Sequence, residues 1–124
     1  MTRSNSVGWF DIHVADFDRT KQFYQTVFNV QFVDLPVEWG KQAVSPFNPE
    51  HPNISGALVE KTDMKPGANT TVVYFETEDC ASEEQKIEKA DGKVVQPKMH
   101  IGEFGYVSIF IDSEGNTVGL HSRK

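Results

Sequence analysis

The chain has 124 residues, enough for one compact unit with a well-filled core, and its 38% hydrophobic and 24% charged content is ordinary for a globular protein. The formal charge is −6, the acidic excess is present in both halves, and the only run of Lys/Arg is Arg123-Lys124, so nucleic acid and anionic membrane surfaces are poor partners. One cysteine, Cys80, excludes an internal disulfide and a cysteine-rich metal site, and no apolar run approaches the roughly 20 residues of a membrane span.

Residues 7–15 alternate, with Phe10, Ile12 and Val14 on one side and Trp9, Asp11 and His13 on the other, the period of a half-buried strand. Asp16 or Asp18 can cap the helix that follows, because a carboxylate accepts from the free N–H groups of a first turn. Phe17, Phe23, Tyr24, Val27 and Phe28 form its apolar stripe, and that spacing makes Phe23 and Tyr24 core residues. Asn29 ends the helix in a left-handed conformation. Strand-like runs follow at Val30–Leu35, Lys41–Phe47 and Ile54–Glu60, and residues 61–69, with Pro66-Gly67 and no periodicity, read as a linker.

The order then repeats. Thr71–Thr77 alternates, Ser82-Glu-Glu-Gln85 has the pattern of a capping box, and Asp91-Gly92 closes a second helix. Strands are expected near Val94–Met99, Tyr106–Ile111 and Thr117–His121, the last two joined by the turn Asp112-Ser-Glu-Gly-Asn116, where Gly115 and Asn116 tolerate positive φ. Gly40 and Gly102 occupy corresponding hairpins. The offset between the copies is 63 in the strand and helix and 62 in the later strands, which places a one-residue change inside the repeat. The predicted fold is α+β: a single domain of two β-α-β-β-β modules, about 7–60 and 70–121.

Three segments carry a family resemblance: Val14-Ala-Asp-Phe-Asp-Arg-Thr-Lys-Gln-Phe-Tyr24, Tyr74-Phe-Glu-Thr-Glu-Asp79 and Asp112-Ser-Glu-Gly-Asn-Thr-Val-Gly-Leu120. In order and spacing the chain resembles the vicinal oxygen chelate superfamily, which includes glyoxalase I, bleomycin resistance proteins and ring-cleaving dioxygenases. The resemblance implies that the modules lie side by side, their sheets curved into a cup with the helices outside. Phe10, Ile12, Val14, Val73 and Phe75 then pack under the helices, and Trp9, Asp11, His13, Val72, Tyr74 and Glu76 face the cup. It also implies homodimers, with open sheet edges as the means of pairing.

Metal-dependent members draw four His, Glu or Gln ligands from the first and last strand of each module. Those positions fall here on Trp9, Ala57, Val72 and Gly119, none of which offers a metal donor. Glyoxalase I chemistry, which needs a metal and a carboxylate base, loses both at once. The residues left to line the cup are Trp9, Asp11, His13, Tyr74, Glu76 and His121, with Thr117 beside them. Trp9 either fills the lost cavity or stacks on a flat ligand. Asp11 and His13, two apart on one strand face, form an acid–base couple or, more simply, an ion pair at the sheet rim. His121 lies two residues beyond Gly119, on the same face and about 7 Å farther along.

The expected function is binding of a small, partly apolar organic molecule in a metal-free cup, with no cofactor. The alternative is a glyoxalase-like lyase or isomerase with a divalent metal or acid–base site relocated to His13, Glu76 and His121. A third possibility is a degenerate module whose cup is filled by Trp9 and phenylalanines. Trp39, Phe104 and the glycines near them lie in hairpins able to close over the cup. His51 is expected to be merely solvated, and Cys80 to be an inert packed thiol. The N-terminal Met-Thr-Arg-Ser-Asn-Ser lacks the apolar core of a signal peptide, so a cytoplasmic location is expected.

Overall fold

The computed structural model describes residues 7–36, 40–46, 48, 50 and 53–124. The expectations for Trp39, His51 and the end of the third strand at Phe47 fall outside these residues. The elements are β1 (Asp11–His13), α1 (Phe17–Phe28), β2 (Val33–Asp34), β3 (Lys41–Val44) and β4 (Ala57–Glu60), then β5 (Tyr74–Glu76), α2 (Cys80–Ile87), β6 (Lys93–His100), β7 (Tyr106–Ile111) and β8 (Thr117–Ser122). They form two β-α-β-β-β modules, each with one four-stranded mixed sheet, ordered β1-β4-β3-β2 and β5-β8-β7-β6.

The internal one-residue change is visible in the register. In the parallel pairs Asp11 lies beside Ala57 and Tyr74 beside Gly119, so the first strands are related by 63 and the last by 62. The strands of the first module are shorter than the sequence runs suggest, with β2 only two residues long. Residues 7–10 and 71–73 continue the alternation of β1 and β5 without being counted in them.

Asp16 caps α1 by accepting from Arg19 N at 3.0 Å, and Asn29 ends it at φ 55°. In α2 the capping-box expectation fails. Asp79 is the N-cap, accepting from Ala81 N at 3.0 Å, and Ser82 sits inside the first turn. An aspartate three residues upstream offers a stronger acceptor in extended backbone (φ −154°), so the helix starts there. Gly40 and Gly102 both have positive φ, 85° and 73°, as their matching places in the repeat imply. Gly115 also does, but Asn116 does not.

One apolar core joins the modules. Ile12, Val14 and Leu58 of the first pack with Ile87, Phe110, Val118 and Leu120 of the second, around Phe23, Tyr24 and Val27 of α1. Phe10 and Phe75 lie half-buried against this core and meet edge to face at 5.8 Å. Val73, expected with them, lines cavities between the modules instead.

The last hairpin of module 2 clamps the start of α1. Glu114 accepts from Ala15 N (3.0 Å), Asp16 N (2.8 Å) and the Arg19 guanidinium (2.8 Å). Asn116 donates to His13 O and accepts from Gly67 N, tying residues 61–69 to both modules. Tyr24 Oη donates to buried Asp112 at 2.8 Å. Cys80 is fully buried, in contact with the Ser122 hydroxyl. Among the described residues no helix is long and apolar enough to cross a membrane.

Candidate binding site between the modules

β1 and β5 each lie at an edge of their sheet, and the modules meet near them at a seam where Phe10 packs edge to face on Phe75. On one side lies a cavity of about 500 Å³. Val7, Trp9 and Phe10 form one wall, Ile54–Gly56 the floor, and Val72, Tyr74 and Glu76 the other wall. A wider hollow of about 740 Å³ adjoins it through Ser45, Asn53, Phe75 and Glu76, and extends to Phe28, Phe32, Glu83 and Arg123.

The aromatic rings of this site are open to solvent. Trp9 is 48% exposed and Tyr74 46%, so Trp9 does not plug the cup as a core side chain would. Its indole Nε1 donates to Asp11 Oδ1 at 3.1 Å. Tyr74 lies across Gly119, and a Cβ at residue 119 would overlap ring carbons Cδ2 and Cε2. Phe10 lies in the same way over Gly56. The glycines are what allow rings to lie flat on the last strands.

The polar candidates are split by the fold. Glu76 meets His121, Oε1 to Nδ1 at 2.7 Å, and His121 Nε2 lies 2.6 Å from Phe104 O. Carboxylate and carbonyl oxygens both accept, so the two contacts are hydrogen bonds together only when both ring nitrogens carry protons. The hydrogen bond to Glu76 raises the His121 pKa above its usual value, against a smaller opposing effect of burial. His13 does not join this pair. It lies on the other side of the seam with Asp11, in a separate pocket, and the two form neither an ion pair nor an acid–base couple. Among the described residues no three His, Cys, Asp or Glu side chains form one cluster.

At the four family ligand positions the fit to a metal is poor on donor chemistry and on space. Ala57 is buried and has no donor, Trp9 offers only an N–H that is already given to Asp11, and Gly119 lies beneath the Tyr74 ring. The residues facing Ala57 and Gly119 across the strand pairs are Asp11 and Tyr74, one pleat beyond Trp9 and Val72.

The family model for the Glyoxalase/Bleomycin resistance protein/Dioxygenase superfamily matches residues 6–120. The chain belongs to this superfamily. Its sequence is 27% identical over 125 residues to the proteins called CFP32 in Mycobacterium bovis and Mycobacterium tuberculosis, named as candidate glyoxylases. The match covers 95% of this chain but 46% of theirs, so the chain spans about half the length of the curated relatives it matches. Among solved structures it is similar to TnmS3, an antibiotic binding protein from Streptomyces sp. CB03234, with a TM-score of 0.72 at 21% identity and all of both chains covered. A glyoxalase/bleomycin resistance protein from the same organism gives 0.71 at 22%, covering 94% of this chain and all of that one. A glyoxalase I mutant from Zea mays gives 0.68 at 15%, covering 94% of this chain and 45% of that one. At these identities the likeness is one of fold.

Sequence reasoning missed Ile54, Ser55, Phe10 and Lys65 as cavity residues and Glu114 and Asn116 as ties between modules. Asn116 and Glu114 sit in the Asp112–Asn116 motif, which signals a turn without revealing what its side chains reach.

Proposed function

We propose that this protein binds a flat, partly aromatic organic molecule in the cavity between Trp9 and Tyr74, and does so without a metal. The observation that carries the reading is the pair of half-exposed aromatic rings facing a single cavity of about 500 Å³, a volume typical of small-molecule sites. The ligand stacks on Trp9 and Tyr74, and Glu76 offers an acceptor at its edge. The fold shared with an antibiotic binding protein supports the same class of use. The two sheets leave β2 and β6 as open edge strands, which supports pairing of two copies into a homodimer.

The alternative, a lyase or isomerase using His13, Glu76 and His121, is favoured only by the Glu76–His121 contact. Both His121 ring nitrogens face oxygen atoms of the protein, and His13 lines a separate pocket, so the three side chains do not converge on one reacting point.

Calorimetric titration of the full chain with a panel of planar aromatic antibiotics, in the presence of EDTA, tests the proposal. Saturable binding is expected, weakened about fivefold by Trp9→Ala or Tyr74→Ala, as stacking worth roughly 1 kcal/mol implies. Binding that appears only after adding a divalent metal, or one equivalent of metal retained through chelation, overturns it.

A further inference from the structure

The duplication has built the seam cavity twice. By the repeat offsets, His13 and Asp11 correspond to Glu76 and Tyr74, and Asn116–Val118 correspond to the start of β4 around Ile54 and Ser55. On the second side these residues line a pocket of about 210 Å³, roofed by residues 65–69. At about 30 Å³ per water, that is room for roughly seven waters or a molecule of a few heavy atoms. The two copies have diverged in chemistry. The first side is aromatic, whereas the second is lined by Asp11, His13, Lys65, Asn69 and Thr117.

Three groups there are chemically unspent. The His13 ring lines the pocket, and its Nδ1, sealed from solvent, has no hydrogen-bond partner, so the ring is not tied to another protein group through that nitrogen. Among the described residues Lys65 makes no ion pair. Asp11 gives one oxygen to Trp9 Nε1 and keeps the other. Asn69 and Asn116 are committed to backbone groups and hold the pocket's shape: Asn69 bonds Thr117 N and O, and Asn116 bonds His13 O and Gly67 N.

We propose that this pocket is a second binding site, for a short carboxylate that carries a hydrogen-bond donor on the adjacent carbon, such as a hydroxy acid or an amino acid. The carboxylate pairs with Lys65 and the hydroxyl or ammonium donates to Asp11, beside the His13 ring that lines the same pocket. A plain carboxylate has only repulsion to offer Asp11, and a plain amine has nothing for Lys65. The site is separate from the aromatic cavity and independent of the ligand proposed there.

The test is titration of the full chain with glycolate, glycine and acetate, following the imidazole resonances by NMR, with His13 assigned from His13→Gln. Glycolate or glycine is expected to shift His13 saturably, with Kd on the order of 1 mM or tighter, and Lys65→Gln to weaken binding about tenfold. Lys65 is an exposed residue of the 61–69 segment, so its removal leaves the fold intact. No saturable shift, or an unchanged affinity in Lys65→Gln, overturns the site. Acetate binding as tightly as glycolate overturns the assignment of a donor to Asp11. Lys65 lines the second pocket and not the aromatic cavity, so the effect of Lys65→Gln on the His13 shift distinguishes failure here from failure of the aromatic site.

Discussion

The Tyr74 ring rests on Gly119, and residue 119 can carry no Cβ while the ring stays where it is. By the family resemblance, metal-dependent members would keep a ligand at this position, whereas Gly119 serves here as a platform for the ring. Gly119→Ala is expected to displace Tyr74, destabilise the fold by about 1–2 kcal/mol, and weaken binding in the aromatic cavity. In a Tyr74→Ala background the same change should cost much less, and a double-mutant cycle in urea unfolding measures the difference. Additive costs would show that the ring and the glycine are independent.

Tyr24 and Asp112 form the one buried side-chain bond between α1 and the last hairpin, at 2.8 Å. Asp112 accepts four bonds in all, from Tyr24 Oη, Glu114 N, Asn116 N and Asn116 Nδ2. Burial still raises its pKa, and burial together with the adjacent Asp112 charge pushes that of Tyr24 well up. Tyr24→Phe keeps the ring stacked on Phe28 and removes only the hydroxyl. It is expected to cost about 2 kcal/mol in chemical denaturation, in the range for a hydrogen bond to a charged group.

What the sequence disclosed and what it withheld divide by distance along the chain. The two helices, the Asn29 end and the 63/62 offsets depend on neighbours within a few residues, and were readable as periodicity and punctuation. Ser82–Gln85 fits a capping box locally, but Asp79 is the residue that caps α2, so the local pattern misplaces the cap and not the helix itself. Glu114 reaches Ala15 and Arg19 across more than 90 residues, and no local pattern encodes that. The site was legible only as faces of strands. Which residues share a cavity depends on how the two modules pack, so Trp9, Tyr74 and Glu76 line one cavity while Asp11, bonded to Trp9, and His13 line another.

Glu114 gives the protein an acid-sensitive tie between modules. Burial pushes its carboxyl up, but the hydrogen bonds from Arg19, Asp16 N, Ser113 and Ala15 N outweigh that and hold its pKa at about 2, against 4.5 for a free glutamate. A carboxylate with a depressed folded-state pKa stabilises the fold above its unfolded value, and that stability is lost as pH falls from about 4.5 towards 2. Because Arg19 is half-exposed, the loss is expected to be about 2 kcal/mol rather than the full shift. Thermal melts across this window should show a shallower slope for Glu114→Gln than for the native chain.

His121 carries the opposite dependence. Its two bonds, to Glu76 and to Phe104 O, both require a proton on the ring, so the imidazolium ties β5 and β8 to the turn at Gly102–Phe104. A raised folded-state pKa means that this stabilisation is complete below the unfolded value of 6.5 and is lost as pH rises through the folded one. The proton lost then leaves a lone pair facing an acceptor, and the turn loosens. Amide hydrogen exchange at Gly102–Phe104, corrected for its intrinsic pH dependence, is expected to accelerate above that pH. Glu76→Gln should move the transition to lower pH, because the amide removes the largest contribution to the shift while keeping the side chain's shape. An NMR titration of His121 that is unchanged in Glu76→Gln would show that the carboxylate does not set the protonation of the ring.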